Sequence, residues 1–538
     1  MKSLIRLLFP VLLAVSCVGR ELVIERGEVD VEGTPIGHEM IVLGDRLEDP
    51  YSVENMTQAL VSLYPTKAER VVLPATHWYV RFLPENEEQY GTLERLGLQL
   101  LDHPVDYEIL REGDYYHDPA IAADRITWQY AVVPAEFSFP PGIRHELLEK
   151  CYIPGTVGTK ADDPDWAAVE AEAFRLTGNE ALLTTYSGSP GRHSGLDPES
   201  LSTKAGESAK PAGRITLVDK ELGATEGVRG VMVSCNTFVK FASAYTDDEG
   251  RYAMTKSFSS RPRFRLVFKN SAGFSIGLNL LLVPASVSTL GTHEADGTDV
   301  EITDESDRWL YLRSIVNNAG YDYFRRCASA NPAVKNPPGN LRFWLFRALG
   351  TSCAPMLQQG VLVDELGLDK LLGEYASLVN MFLPDILLGL KGKESYGEIY
   401  AEALHELAHA SHFMLAGKDY WNTYANYVIK SFITSGFVAY GVGTGEGAGH
   451  CEVGELWAYA LQAQLYRERY GETDRTFGLN HWFHPQIFLQ LMDRGLAYNK
   501  LFQVLNGEVT DRTLLQKKLT SWYPEYKSEI NQAFARYN

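Results

Sequence analysis

Apolar residues recur at helical spacing over the C-terminal part of the chain. The clearest example is residues 396–416, where apolar side chains return every three or four positions, as in a helix with one buried face. Those side chains are Ile399, Ala403, Leu407, Ala410 and Met414. Gly417 stands where such a helix would end. Residues 306–327 and 362–380 have a similar period, so the pattern predicts a mainly helical domain over residues 300–538.

A different pattern, in which apolar and polar residues alternate, marks residues 213–292. Alternation places every second side chain on the same face of a strand, and the runs end at Gly and Asp residues that suit turns. The strand-like runs are residues 213–219, 227–235, 245–254 and 263–270. Short strands of this kind predict an all-β sandwich.

Residues 17–186 mix the two patterns. Strand-like runs at 76–84 and 126–133 alternate with helical runs at 88–101 and 165–176. An α+β N-terminal domain is therefore predicted, and its sequence indicates no chemistry. Residues 187–212 are rich in Gly, Ser and Pro and contain no aromatic residue, so they are predicted to form a linker.

Length, charge and cysteine content narrow these predictions. A chain of 538 residues exceeds what one hydrophobic core supports, so a multidomain protein is expected. The formal net charge of −19 argues against a nucleic-acid partner, because phosphates would be repelled. Five of the six cysteines follow Cys17 and are too sparse for a disulfide framework, although Cys327 and Cys353 could form a pair.

The N-terminus has the form of an export signal. Lys2 and Arg6 precede a short apolar run, so residues 1–16 are predicted to be a signal peptide. Residues 14–17, Ala-Val-Ser-Cys, resemble a relaxed bacterial lipobox, in which Cys17 becomes the lipidated first residue of the mature chain. That resemblance implies an exported cell-envelope protein, an outer-membrane lipoprotein attached to the membrane through its lipid anchor.

The predicted helix at 396–416 contains His405-Glu406-Leu407-Ala408-His409. A helix turns once every 3.6 residues, so His405 and His409 project from the same side and can bind one zinc ion. Glu406 is rotated by about 100° and can reach a water on that zinc as a general base. The spacing therefore predicts a zinc hydrolase.

This motif resembles that of the zincin metallopeptidases, and more closely their gluzincin branch. The metzincin branch would require Gly at position 412 and His or Asp at position 415, where this chain has His412 and Leu415. In gluzincins a Glu on a later helix completes the zinc site, commonly in the form Glu-x-x-Ala. The resemblance implies a zincin-like C-terminal domain.

Two acidic residues could supply that third ligand. Glu455 begins Glu-Leu-Trp-Ala and fits the gluzincin form, whereas Glu452 would place Glu455 at the small position. Glu455 is therefore favoured, with Glu452 as the alternative. Glu446 lies in a Gly-rich run that is predicted to be a loop.

Other polar residues could assist the chemistry. Zincins use a Tyr or His near the metal to stabilise the oxyanion, and Tyr459 and His481 are candidates. His484 is another, and the sequence does not choose among them. His412 follows His409 by three residues and could orient substrate or support a ligand.

Two further resemblances concern the surroundings of the site. In zincins the edge strand before the active-site helix pairs with an extended peptide substrate, and residues 378–390 read as that strand. Residues 227–233 and 246–252 resemble the carboxypeptidase-regulatory, transthyretin-like sandwich, in which a Thr-Asp…Gly-x-Tyr turn recurs. Such modules are spacers or docking surfaces on exported proteins.

The expected function is hydrolysis of peptide or protein substrates by a zinc-activated water, with Glu406 as general base. An alternative of a different class remains open. The chain could be a non-catalytic surface lipoprotein that binds protein or glycan and keeps the zincin domain as a scaffold. The presence of Glu406 favours the enzyme, because a scaffold needs no base beside two metal ligands.

Overall fold

A computed structural model describes most of the chain: residues 40–65, 73–113, 115–122, 125–155, 164–184, 208–277, 285–347, 350, 352–361, 383–434, 440–471 and 475–537. The predicted signal peptide, Cys17 and all but the last five residues of the predicted linker lie outside these residues. So does the whole helix predicted at 362–380.

The described residues form sixteen strands in four sheets. The strands are β1 (Val42–Arg46), β2 (His77–Leu83), β3 (Tyr107–Arg111), β4 (Gln129–Pro134), β5 (Arg144–Cys151), β6 (Ala212–Asp219), β7 (Ala224–Gly227), β8 (Val231–Thr237), β9 (Lys240–Tyr245), β10 (Arg251–Ala253), β11 (Arg263–Asn270), β12 (Phe274–Gly277), β13 (Val287–Thr292), β14 (Val300–Ile302), β15 (Leu341–Phe346) and β16 (Ile386–Gly389).

The same residues form eleven α-helices, eight of which follow residue 307. They are α1 (Val53–Leu63), α2 (Glu87–Arg95), α3 (Trp166–Leu176), α4 (Arg308–Ser329), α5 (Tyr396–Ala416), α6 (Lys418–Thr434), α7 (Ala448–Tyr470), α8 (Gln486–Asp493), α9 (Tyr498–Gln503), α10 (Arg512–Trp522) and α11 (Lys527–Ala535). The expected mixture of sheets, with helices concentrated in the C-terminal half, is confirmed.

The N-terminal region has a small sheet and a core of its own. The antiparallel order is β4-β2-β5, and α1 and α3 pack beside it. Asp165 caps α3 by accepting from the backbone N–H groups of Ala167 and Ala168, which explains why the helix begins there. A buried ion pair, Lys240 to Glu170 at 2.6 Å, joins this region to β9.

The predicted sandwich strands are present. β6 pairs with β7, β10 and β14, while β8 lies between β9 and β11 in a second sheet. The turn before β10 depends on Asp247, whose Oδ1 accepts from the backbone N–H groups of Glu249 and Arg251. Gly250 has φ +77°, and a Cβ there would collide with the Ile215 carbonyl. Only glycine therefore fits this turn.

The larger sheet extends from the sandwich into the C-terminal region. Its order is β16-β15-β12-β11-β8-β9, with β13 also paired to β11. β12, β15 and β16 run parallel, and Leu345 of β15 lies beside Leu388 of β16. One hydrophobic core joins both sandwich sheets to the C-terminal helices. The predicted sandwich and helical domain therefore share one sheet and one core, against which α5 is placed.

All five cysteines after Cys17 are described, buried and free. The suggested pair of Cys327 and Cys353 is therefore wrong: Cys327 lies on α4, and Cys353 lies beside β16. Among the helices that the structure describes, none has the length and apolar character needed to cross a membrane.

Candidate metal centre

The first two ligand candidates are fixed by α5. Ser395 and Glu398 form a capping box at its start, and Gly417, at φ +89°, ends it. The helix therefore begins and ends as the sequence predicts. His405 and His409 lie one turn apart in the middle of α5, and both are buried.

The third ligand comes from α7, which packs against α5. Trp457 donates its Nε1–H to the Ala408 carbonyl at 3.0 Å, and Gln462 donates to the Ala401 carbonyl at 3.0 Å. Gly454 lies in the same contact, where a Cβ would come within 3.8 Å of the His412 ring and 3.3 Å of the Tyr424 ring. The close approach brings the Glu455 carboxylate to the two imidazoles.

The three side chains converge with the spacing that a bound metal requires. Nε2 of His405 and Nε2 of His409 are 3.2 Å apart, and the Glu455 carboxylate oxygens lie 3.5 and 3.4 Å from them respectively. Donors bound to one ion at about 2.0–2.1 Å in tetrahedral geometry lie about 3.3–3.4 Å apart. The group can therefore hold a metal ion on three protein ligands.

Glu452 is not part of this group. It lies one turn before Glu455 on α7, where its carboxylate is 3.4 Å from the Arg512 guanidinium. Glu446 is exposed in the loop before α7, as expected. Of the three acidic residues considered from the sequence, the structure thus brings Glu455 alone to the histidines.

Glu406 lies beside the ligands in an unusual environment for a carboxyl group. Its side chain is fully buried, and neither oxygen has a hydrogen-bond partner among the described residues. Burial raises its pKa well above the usual range, and Glu402 and Glu455 raise it further. A carboxyl group held this way accepts a proton readily.

In the candidate metal ligands, unlike in Glu406, the pKa shifts favour the forms that bind a metal. Burial opposes ionisation of Glu455, but His409 and His405 outweigh that effect and hold its pKa well below the usual range. Burial lowers the pKa of His409, which keeps its imidazole neutral. An ionised carboxylate and neutral imidazoles are the forms that bind a metal.

Packing and one hydrogen bond orient these ligands. The His405 ring lies 4.2 Å from the Tyr459 ring, and the His409 ring lies 5.7 Å from that of Trp421. Nδ1 of each histidine has no acceptor within the described part of the chain. The Tyr424 hydroxyl donates to the Glu455 carboxylate. Tyr424 therefore fixes the carboxylate that faces the metal position.

Replacing Tyr424 should weaken metal binding without unfolding the protein. Groups that orient a metal ligand usually contribute about 10–100-fold to metal affinity. We expect a loss of that size for Tyr424→Phe in a competition titration with a zinc chelator. The matched control is Tyr427→Phe, because Tyr427 is also buried on α6 but donates to the Tyr440 carbonyl. Equal affinities for the two variants would contradict this role.

His412 is buried away from the metal position. Its ring packs at 5.0 Å from Tyr420 and 5.4 Å from Trp421. Burial, with a smaller effect of His409, lowers its pKa to about 3. His412 is therefore a neutral part of the core behind the site, which does not suit the substrate-orienting role considered from the sequence.

The neutral His412 ring makes the metal-free fold sensitive to acid. An unfolded chain protonates this histidine near pH 6.5, whereas the folded protein does so near pH 3. The neutral ring therefore makes its full contribution to the free energy of unfolding above about pH 6.5. This contribution decreases by about 1.4 kcal/mol per pH unit as the pH falls toward 3. We expect urea midpoints that fall steeply below pH 6.

The variant His412→Leu should show a shallower fall of the urea midpoint than the parent, because it has one buried titrating ring fewer. His145→Gln removes an exposed histidine of β5 and serves as the control, with the slope of the parent. If His412→Leu and the parent lose stability in parallel, the buried ring is not the cause.

Tyr459 and His481 lie near the ligands, whereas His484 does not. The His481 ring is half-buried and stacks at 6.1 Å from Tyr459. Burial lowers the pKa of His481, and the charge of Glu455 acts against this shift. His484 instead stacks on Tyr537 at 4.6 Å. His481 is thus the half-exposed imidazole beside the site.

The outer edge of β16 is covered by a segment of the same chain, Ser352–Leu357. Cys353 and Leu387 exchange two backbone hydrogen bonds of 2.9 and 2.8 Å, and Met356 donates to the Asp385 carbonyl at 3.1 Å. Contrary to the expectation from the zincin resemblance, this edge is not free to pair with a substrate.

Displacing the Ser352–Leu357 segment would be costly. All six residues are buried, and Met356 and Leu357 belong to the main core. Burial of each of those two side chains is worth about 1.5–3 kcal/mol. The backbone hydrogen bonds to β16 add about 0.5–1.5 kcal/mol each. Exposure of this edge would therefore cost several kcal/mol.

Tyr424, Trp421 and Cys353 were not identified from the sequence. Trp421 packs on His409 and donates to the Ala354 carbonyl at 3.1 Å, which ties the Ser352–Leu357 segment to the site. The available signal was the row of aromatic residues at helical spacing just after the His405 helix. No sequence signal connects Cys353 with Leu387, because that contact depends on strand pairing.

Comparison with known proteins gives no relative: no family model, no curated protein and no solved structure matches this chain.

Proposed function

We propose that the chain is an exported, lipid-anchored zinc peptidase with Glu406 as general base. The observation that carries this proposal is the triangle of His405, His409 and Glu455 donor atoms, with Glu406 buried beside it and without a hydrogen-bond partner among the described residues. The gluzincin-like motif in the sequence and the separation of Glu452 from the ligands support the same proposal.

Zinc fits the donor set. Two imidazole nitrogens and one carboxylate oxygen form the protein ligands of many catalytic zinc sites, which keep a fourth position open. Zinc in this position would polarise a carbonyl group and lower the pKa of water. His405 and His409 would hold the ion, and Glu455 would offset part of its charge.

Glu406 carries the proton in this proposal. Its carboxylate takes a proton from the attacking water and delivers it to the leaving amine, so that no bulk water is needed inside the site. Burial and neighbouring carboxylates raise the pKa of Glu406 in the metal-free protein, and a bound cation would favour the ionised form that takes the first proton. Because neither oxygen has a hydrogen-bond partner among the described residues, both can serve in the two transfers.

His481 is the best-placed donor to the oxyanion of the substrate. It is half-buried beside Tyr459 and close to Glu455, while His412 and His484 face other parts of the core. A donor aimed at developing negative charge stabilises the transition state more than the ground state. Tyr459 supports the His405 ring in this arrangement.

Metal content tests the proposal directly. The purified protein should contain close to one equivalent of zinc per chain when measured by mass spectrometry of the elements, and His409→Ala should contain almost none. His117→Ala is the control, since His117 lies in the N-terminal region. Parent protein that neither contains zinc nor takes it up would remove the basis for the peptidase.

A further inference from the structure

The metal centre is closed within the described structure. His405 is 2% exposed, and Glu406, His409 and Glu455 are fully buried. A substrate must therefore pass one of the elements that cover these side chains. Besides α6, whose Trp421 and Tyr424 contact His409 and Glu455, two elements lie against the centre among the described residues. They are the Ser352–Leu357 segment on the β16 side, and residues 475–484 on the side of Tyr459, here called the 475–484 segment.

The Ser352–Leu357 segment, the first of the two covers, is firmly attached. Ser352–Leu357 is bonded along β16, and the Trp421 indole holds its Ala354 carbonyl. Because the same indole packs on His409, the segment lies beside the metal group. This cover occupies the position that an added substrate strand would need.

The 475–484 segment, the second cover, is attached differently from the Ser352–Leu357 segment. Six of its residues are only half-buried and two are exposed. Its Gly478 has φ +65° and lies directly on the Tyr459 ring, where a Cβ would collide. Its polar attachments include the Gln486 side chain, which donates to the Leu479 carbonyl at 2.8 Å, and the Arg475 pair with Glu221 at 3.6 Å. Such a segment opens more easily than a buried strand.

Aromatic rings form the contact between the 475–484 segment and the site. Phe483 stacks on Tyr459 at 5.3 Å, and His481 stacks on Phe483 at 4.9 Å. Tyr440 meets Phe483 edge-on at 5.2 Å. When the segment lifts, these ring faces become available to an apolar group of the substrate.

We infer that the substrate is a short peptide with an aromatic or large aliphatic side chain at the scissile bond, and that it enters past the 475–484 segment without pairing with β16. This inference rests on the proposed peptidase function. It follows from two placements: the outer edge of β16 is bonded to Ser352–Leu357, and rings of the 475–484 segment stack on Tyr459, whose own ring packs on His405.

Substrate length provides the first test. The zinc-loaded full chain is incubated with a quenched-fluorescence pentapeptide library and, separately, with unfolded casein. We expect cleavage of pentapeptides beside Phe, Tyr or Leu, and a casein rate lower by about 100-fold or more, since casein binds as a long extended chain. Comparable rates for casein and the best pentapeptide would overturn the inference.

Hydrogen exchange provides a readout that does not depend on turnover. A phenylalanyl dipeptide hydroxamate, which chelates zinc, is added to the zinc-loaded chain. We expect altered exchange at Gly478–Phe483 and unchanged, slow exchange at the amides of Cys353 and Leu387. Each of these two amides donates to the backbone carbonyl of the other residue. Faster exchange at Cys353 and Leu387 would show that the substrate displaces the first cover.

Two separate variants, one of them a control, test whether the 475–484 segment can move. Trp482 packs against Gly443 and Phe483, so Trp482→Ala should loosen the 475–484 segment and speed exchange at Gly478. Trp522→Ala, on the exposed side of α10, is the matched control and should leave that exchange unchanged. Equal exchange in both variants would count against a movable cover.

The two proposals fail in distinguishable ways. If the chain binds zinc and cleaves casein as fast as pentapeptides, the peptidase stands and the inference about the substrate is wrong. If zinc-loaded protein binds no hydroxamate and cleaves no peptide, the peptidase function is wrong, and the inference falls with it.

Discussion

The variant Glu406→Gln should keep its fold and its zinc and lose peptidase activity by about 10²–10⁴-fold, the usual contribution of a general base. Glutamine has the shape of glutamate, but its amide does not accept a proton from water. The Glu406 side chain is buried and unpartnered, so the substitution breaks no hydrogen bond among the described residues. The measurement is kcat on a cleaved pentapeptide together with zinc content.

The control for this experiment is Glu402→Gln, one turn earlier on α5. Glu402 lies 2.9 Å from the Lys393 ammonium and is no part of the metal group. Its replacement should cost less than about tenfold, through a changed field at Glu406. Unchanged turnover in Glu406→Gln would favour the alternative in which the metal domain is a scaffold.

The helices and strands were largely predictable because their signals are local. Ser395, Glu398 and Gly417 mark the ends of α5, and the apolar stripe between them marks its buried face. The turn with Asp247 and Gly250 was likewise visible, because few residues other than Asp and Gly suit those two positions.

The choice between Glu455 and Glu452 needed tertiary structure. Both residues lie on α7 within one turn, so the helical period alone does not decide which of them meets His405. The packing of Trp457 on Ala408 fixes how α7 is rotated, and this rotation turns Glu455 inward and Glu452 toward Arg512.

The sheet that joins the sandwich to the C-terminal region could not be predicted. It depends on β12 pairing with β15, whose partners Phe274 and Leu341 are far apart in sequence. The covered edge of β16 depends in the same way on Cys353 meeting Leu387. Pairings of this kind have no local period, and a one-residue change of register would alter them.

Glu455→Ala should give a protein that contains almost no zinc, whereas Glu452→Ala should remain nearly filled. Glu455 supplies one of only three donors, and its loss also removes the acceptor of the Tyr424 hydroxyl. Glu452 is 3.4 Å from Arg512, and such a partly exposed pair contributes about 0–1 kcal/mol to stability. Zinc per chain after dialysis, with circular dichroism as a check of folding, separates the variants. If Glu452→Ala lost its zinc and Glu455→Ala kept it, Glu452 would be the ligand. Equal zinc content in the two variants would exclude a carboxylate ligand from α7.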